Sequence, residues 1–399
     1  MPDNQQVQNQ QCPIPMEHQM TANTPQSEPL GCDQVKNDAG GFVWIVDDMK
    51  RLVRFLVLGS ELPTYYIGEK QLGVENAQAI TRLLKDGRGV EVVDVILTFS
   101  VEGRTAKQNP IMFAFAMCAR FGDLETKQRA YAVLQQICRI PTHLFMFVAY
   151  SKALSKPQTG WGRAPRKSIQ KWYTEKQPMK LAKDVTKYQK REGWSHRDVA
   201  RVAHPKSDNP AIQCVLKYAV NGFQQMLAAF PDSDQYSEEL NSVLSFLKAV
   251  EEMKGLTMND EDRVVELIDS HGLVREHIPT VCLGSKKVWE VLLKKMPMTA
   301  MIRNLNKMTA IGLLEADNEH VKLVCEKLCS EDLLQKARIH PFNVLLALKT
   351  YQSGRGDKGS LTWTANTKIV KALEDAFYLS FKNVEPTEKR YMLAMDVSG

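Results

Sequence analysis

The chain has 399 residues, 44% of them hydrophobic and 25% charged, with a formal net charge of +6. That composition belongs to a globular protein with room for two or three cores. It excludes a bilayer-spanning helix, because the longest unbroken apolar run, residues 111–119, is nine residues long against the roughly twenty required. The first forty residues contain no apolar signal segment, and the eight cysteines include no CxxC pair and no zinc-type spacing to histidine. Reduced, mostly buried thiols in a cytoplasmic or nuclear protein are therefore expected.

Along the chain, residues 1–41 are rich in Gln, Asn, Pro, Ser and Thr and read as a disordered tail, since they hold too little apolar surface to offset ordering entropy. From Val43 onward the apolar spacing is helical. Ala130, Val133, Leu134 and Ile137 follow the i, i+3, i+4, i+7 pattern, as do Leu240, Val243, Leu244 and Leu247. Prolines and glycines recur at short intervals, among them Gly87, Pro110, Pro141, Pro178, Gly193, Pro210, Gly272 and Pro341. They cut the pattern into more than about fifteen helices of roughly ten to eighteen residues. Strand signals are scarce, with one short extended piece expected at residues 64–67. Many short helices without alternating strands predict an all-α fold, an α-solenoid of HEAT-like helical repeats over residues 42–385. The last residues, 386–399, change character: an apolar run from Tyr391 to Met395 followed by Asp396 and Ser398 reads as the first strand of a parallel α/β domain, left here as a short orphan strand.

The charge is not spread evenly. Residues 151–210 hold 15 Lys and Arg against five acids, together with Trp161, Trp172 and Trp194, half of all the tryptophans. A basic segment with interleaved aromatics on a slightly acidic body points to a polyanion. Placed on one helix over residues 179–191 at roughly 100° per residue, Lys180, Lys183, Lys187, Lys190 and Arg191 share an arc of roughly 100°, with Leu181, Val185 and Tyr188 on a separate face suited to the core. Like charges so close oppose helix formation, so a ligand accounts for them better than local stability does. In the next helix Ser195 is a predicted N-cap and Arg197, Arg201 and His204 share one face, with Pro205 ending it. Upstream, Lys167 and Lys171 form an i, i+4 pair while Ile169, Trp172 and Tyr173 turn inward. Cations set out in this way position phosphates rather than read bases. A helical scaffold that binds acidic or phosphorylated proteins through the same face is the alternative.

No P-loop, GxSxG, HExxH or glycine-rich dinucleotide turn is present, so no enzyme is expected. His143 and His340 sit among apolar neighbours and read as core or capping residues. A series of short motifs runs in one order along the chain: TYYI at 64–67, IPTHLF at 140–145, WGRA at 161–164, VTKY at 185–188, GWSH at 193–196, LVREH at 273–277, RNL at 303–305, ARIHPF at 337–342 and VEPT at 384–387. Together they resemble the TROVE domain of the Ro ribonucleoprotein family. The resemblance implies a ring of HEAT-like repeats followed by a von Willebrand factor A domain. It also implies binding of small cytoplasmic Y RNAs on the outer surface of the ring, with Lys187, Arg191 and His204 at the positions that hold them. Single-stranded 3′ ends of misfolded noncoding RNAs would enter the central hole, in RNA quality control by a monomeric protein without catalysis. Arg303, Asn304, Lys307 and Arg338, polar within apolar motifs, are the candidate channel contacts. Asp396 and Ser398 match the opening of the A domain's metal-adhesion motif. The later ligands are missing from the sequence, so no cofactor is expected, and a divalent metal only in a longer form.

Overall fold

The computed structural model describes residues 28–37, 40–59, 69–156, 160–315, 318–356 and 360–386. A short antiparallel hairpin, β1 (Gln34–Lys36) with β2 (Phe42–Trp44), leads in. It extends order into residues that composition alone assigns to the tail. The expected extended piece at 64–67 and the C-terminal strand with Asp396 and Ser398 lie outside the described residues.

Helices follow in close succession: α1 (Asp48–Leu58), α2 (Glu69–Lys85), α3 (Gly89–Glu102), α4 (Asn109–Phe121), α5 (Leu124–Ile137), α6 (Pro141–Ala153), α7 (Arg163–Thr174) and α8 (Pro178–Lys187). A second hairpin, β3 (Lys190–Arg191) with β4 (Trp194–Ser195), separates these from α9 (His196–Ala203), α10 (Pro210–Asn221), α11 (Phe223–Ala229), α12 (Glu238–Lys254), α13 (Glu261–His271), α14 (Lys286–Lys295) and α15 (Met298–Ala310). The last four are α16 (Glu319–Leu328), α17 (Glu331–Lys336), α18 (Pro341–Gln352) and α19 (Thr367–Leu379).

Local sequence explains most of the boundaries. Pro110, Pro141, Pro178, Pro210 and Pro341 occupy the first turns of their helices, where the missing N–H is an orphan in any case. Asp47, Asp123, Ser237, Asn318 and Ser330 cap N-termini with side-chain oxygens. His340 caps α18 by accepting from the Phe342 N–H at 3.1 Å, and His143 is buried with Nδ1 3.3 Å from the Ile137 carbonyl, as their apolar settings predict.

Packing follows the solenoid rule. Helices two apart along the chain pack on one another: α3 on α5, α5 on α7 and α7 on α9, while α2 packs on α4 and α4 on α6. The stack continues through α10, α12, α13, α14 and α15 to the α16–α19 group. One continuous core runs between the layers, with Phe115, Phe147, Trp172, Tyr173, Phe246 and Trp289 fully buried.

The stack then closes on itself. The guanidinium of Arg338, between α17 and α18, donates to the Val101 carbonyl at the end of α3, and Asn343 Nδ2 donates to the Ala106 carbonyl at 3.4 Å. Arg104 pairs with both Glu102 and Glu385. Gly103 makes the approach possible: its φ is +73°, and a Cβ there would lie 2.6 Å from Cβ of Arg338. The fold is thus an all-α solenoid curved into a ring, with Val101 to Ala106 meeting Arg338, Asn343 and Glu385 at the seam.

Candidate nucleic-acid interface

The basic segment is built on α7, α8, the β3–β4 hairpin and α9. In α7, Pro165, Ser168, Ile169, Trp172 and Tyr173 are buried, which leaves Arg163, Arg166, Lys167 and Lys171 outward. In α8, Leu181, Ala182, Val185 and Thr186 are buried, which leaves Lys180 and Lys183 exposed and Lys187 half-buried. The structure corrects the single helix over 179–191, since α8 ends at Lys187. Lys190 and Arg191 lie instead on β3, where they pair with Ser195 and Trp194. The two-residue turn between the strands, Glu192 and Gly193, has φ of +50° and +77°, the left-handed pair of a type I′ hairpin. Both cations remain exposed, but on a ribbon rather than a helical stripe.

In α9 the prediction holds closely. Ser195 accepts from the Asp198 N–H at 3.2 Å and Asp198 accepts from the Ser195 N–H at 3.0 Å, a reciprocal capping box. Replacing Ser195 by Ala is expected to cost about 1 kcal/mol of stability, read as a lowered denaturant midpoint, because it strips α9 of one of these bonds. His204 ends the helix with φ +53°, and Gln170 on α7 donates to the carbonyls of Ala203 at 2.6 Å and His204 at 3.2 Å.

These contacts order the cations into a band. At one end Lys183 lies 6.0 Å from the Phe246 ring and Lys187 lies 3.7 Å from Glu276, so both lean toward α12 and the 3₁₀ turn at Arg275–His277. Arg197 shares a cleft with Val185, Thr186 and Gln189 at the end of α8 and with Lys254 of α12. Arg201 and His204 continue along α9 to Gln170, and a shallow basin there is lined by Arg163, Arg166 and Lys167. The hairpin is anchored to the same region by Trp194, whose ring meets Trp161 edge-on at 5.9 Å.

Neutralisation is slight. Lys171 faces Glu175 at 3.6 Å and Lys187 faces Glu276 at 3.7 Å, both loose and partly exposed. Lys176 is spent internally: it pairs with Asp184, lies 3.2 Å from the Trp172 ring, and burial lowers its ammonium to about 8. Lys167, Lys180, Lys183, Lys190, Arg191, Arg197 and Arg201 have no carboxylate partner among the described residues. Beneath the band, His277 is held neutral. Its Nδ1 accepts from the Val274 N–H at 3.1 Å, so Nε2 carries the proton toward Thr186 Oγ1 at 3.0 Å. Burial first, then Lys187, Lys183 and Lys254, lower its pKa to about 4.

A second basic place lies at the ring seam. A cavity of about 540 Å³ is lined by Arg139, Arg303 and Arg338, with Gln108, Asn306 and Asn343, and no carboxylate among the described residues lines it. Burial and the nearby Arg338 lower the Arg139 guanidinium to about 10. The structure thus brings Arg303 and Arg338 together but not the other two channel candidates. Asn304 donates to the Ala300 carbonyl of its own helix at 2.7 Å, and Lys307 lies outside the cavity lining. Sequence reading missed Arg139. The available signal was a lone cation between the buried Cys138 and the apolar IPTHLF motif. No cluster of metal-ligating side chains occurs among the described residues, and Asp396 and Ser398 lie outside them.

The TROVE domain family matches residues 35–352 and 348–389 of the chain. An RNA-binding protein RO60 of Caenorhabditis elegans is 38% identical across 94% of this chain and 67% of its own length. The RNA-binding protein RO60 of Deinococcus radiodurans is 34% identical across 94% of this chain and 68% of its own. The crystal structure of the Deinococcus radiodurans RO (RSR) protein superposes with a TM-score of 0.63 at 30% identity, covering 86% of this chain and 66% of that one. The sequence spans about two thirds of the length of these relatives.

Proposed function

The chain belongs to the TROVE domain family, and on that premise we propose that it is an RNA-binding protein that holds a small structured RNA along the α7–α9 band. The observation that carries this reading is the run of cations on α7, α8, the hairpin and α9 left without carboxylate partners. Such a surface is costly to assemble unless a polyanion neutralises it. Cations presented from helix faces and a ribbon suit the backbone of a folded RNA, and leave sequence largely unread. Within this reading, Lys187, Arg191 and His204 contact the backbone of a Y RNA, and the seam cavity with Arg139, Arg303 and Arg338 takes phosphates of a single-stranded 3′ end. The reading includes a binding role in quality control of noncoding RNA, in cytoplasm or nucleus, as the resemblance implies.

The test is affinity purification of the chain from cells, with and without nuclease, followed by titration of a structured small RNA at several salt concentrations. RNA that co-purifies, and binds with a log–log salt slope steeper than about −4, supports the proposal. A protein partner that survives nuclease, with no RNA bound, supports instead a scaffold for acidic or phosphorylated proteins on the same face.

A further inference from the structure

The two arms of the ring meet around the seam cavity, and they meet with like charge. Arg139 comes from the first arm, between α5 and α6, while Arg303 on α15 and Arg338 before α18 come from the last. Arg139 is fixed in place. Its Nη1 donates to Oγ of the fully buried Ser100 at 2.9 Å and to the Gln136 carbonyl at 3.2 Å. Arg338 is fixed through Nε by the Val101 carbonyl. The other nitrogens of both guanidiniums have no partner among the described residues, and Arg303 has no carboxylate partner there either. The wall adds a polar group in need of a partner. Gln108 Nε2 donates to Thr105 Oγ1 at 3.2 Å, which leaves its buried Oε1 without a hydrogen bond. Flipping the amide lets Oε1 accept from the Thr105 hydroxyl and turns the NH₂ group into a further donor on the wall. His143 lines the cavity too, but burial and Arg139 lower it to about 4 and keep it neutral.

Direct bonds across the seam are few: Arg338 to Val101, Asn343 to Ala106, and Arg104 to Glu385, whose side chain is 65% exposed. Against them stands the repulsion between Arg139 and Arg338, with no carboxylate among the lining residues to offset it. An anion between the guanidiniums reverses that sign, because it attracts both arms at once. The planar fork of Arg suits phosphate oxygens in particular. We infer that the cavity is a phosphate-operated clamp: a compact phosphate anion held between Arg139 on one arm and Arg303 and Arg338 on the other draws the ring closed. Phosphate binding and seam closure are then one linked equilibrium. The inference rests on the assignment of phosphates to this cavity and is independent of the α7–α9 band. The same chemistry is offered by a free diphosphate and by the phosphorylated end of a single strand.

Hydrogen exchange of peptides covering 99–108 and 335–345 reads the opening of the seam. Inorganic pyrophosphate at about ten times its Kd is expected to slow exchange there roughly tenfold, since a ligand of the closed form alone reduces opening by one plus the ratio of its concentration to Kd. Arg303→Gln alters an exposed residue with no ion pair to lose among the described residues. It should weaken pyrophosphate binding roughly tenfold and cut the protection at the same concentration to about twofold, with exchange in the absence of anion within roughly twofold of wild type. A second arm replaces pyrophosphate by a short single-stranded RNA ending in a 3′-phosphate. Protection by pyrophosphate upholds the clamp with a free anion as its source, and protection by the RNA alone upholds it with a strand end. Exchange unchanged by either, or full protection that persists in Arg303→Gln, overturns the clamp and leaves RNA binding on the band standing.

Discussion

Replacing Lys187 and Arg191 together by Ala is expected to weaken binding of a structured small RNA by roughly 100-fold at moderate salt. Each side chain is assigned one charge-assisted hydrogen bond to phosphate worth about 1.5 kcal/mol, and about 1.4 kcal/mol is a factor of ten. The slope of log affinity against log salt should also become shallower by about 1.8, at about 0.9 for each phosphate left unneutralised. Stability should barely move, because Arg191 is exposed and Lys187 has only a loose, partly exposed pair with Glu276 at 3.7 Å. The control is Lys286→Ala with Lys294→Ala, two exposed cations on α14 away from the band, which should leave affinity within roughly twofold of wild type. Affinity and slope unchanged in the first variant would remove the hairpin and the end of α8 from the interface.

The inward half of this site was open to a reader of the sequence. Ile169, Trp172 and Tyr173 in α7, and Leu181 and Val185 in α8, recur at helical spacing, and all are buried. The N-cap of α9 at Ser195 was equally legible, and the structure adds the reciprocal bond from Asp198. The hairpin was not, for a physical reason. A type I′ turn is normally announced by Asn-Gly or Asp-Gly, and here Glu192 takes the first left-handed position, where a long side chain is disfavoured. Nothing in the cation spacing marks the break, because Lys190 and Arg191 continue the charged phase of α8 by coincidence of register. The seam was hidden for a different reason. Arg338 and Val101 are 237 residues apart, and only the summed curvature of all the intervening helices brings them together. Periodicity describes one helix at a time and carries no information on that sum.

Ring and site share one energetic dependence. The α8 cations are presented by a helix whose buried face packs on α10 and α12, and His277 sits under that face with Thr186. Three cations around a neutral imidazole are tolerable, whereas around an imidazolium they would repel it. Keeping His277 uncharged is thus a condition for keeping Lys183 and Lys187 where they are.

Acidification should therefore destabilise the fold well before carboxylates titrate. Burial, as the largest cause, lowers His143 and His277 to about 4 and His196 to about 3, against an ordinary value of 6.5. In the unfolded chain each imidazole takes up a proton as pH falls through 6.5, while in the fold it stays neutral to about 4 or below. The unfolded state then binds more protons, so stability is full above about pH 7 and falls steadily as pH drops toward 4. At pH 5 each of the three is expected to cost about 2 kcal/mol relative to pH 7.5, and the sum is a large fraction of the stability of an ordinary domain. The measurement is a urea midpoint at pH 7.5, 6 and 5, paired with imidazole NMR signals of the folded protein. The midpoint should drop at each step while three ring signals stay at their neutral positions. A midpoint that holds or rises between pH 7.5 and 5, or early titration of all three rings, would show that the core admits the charged form.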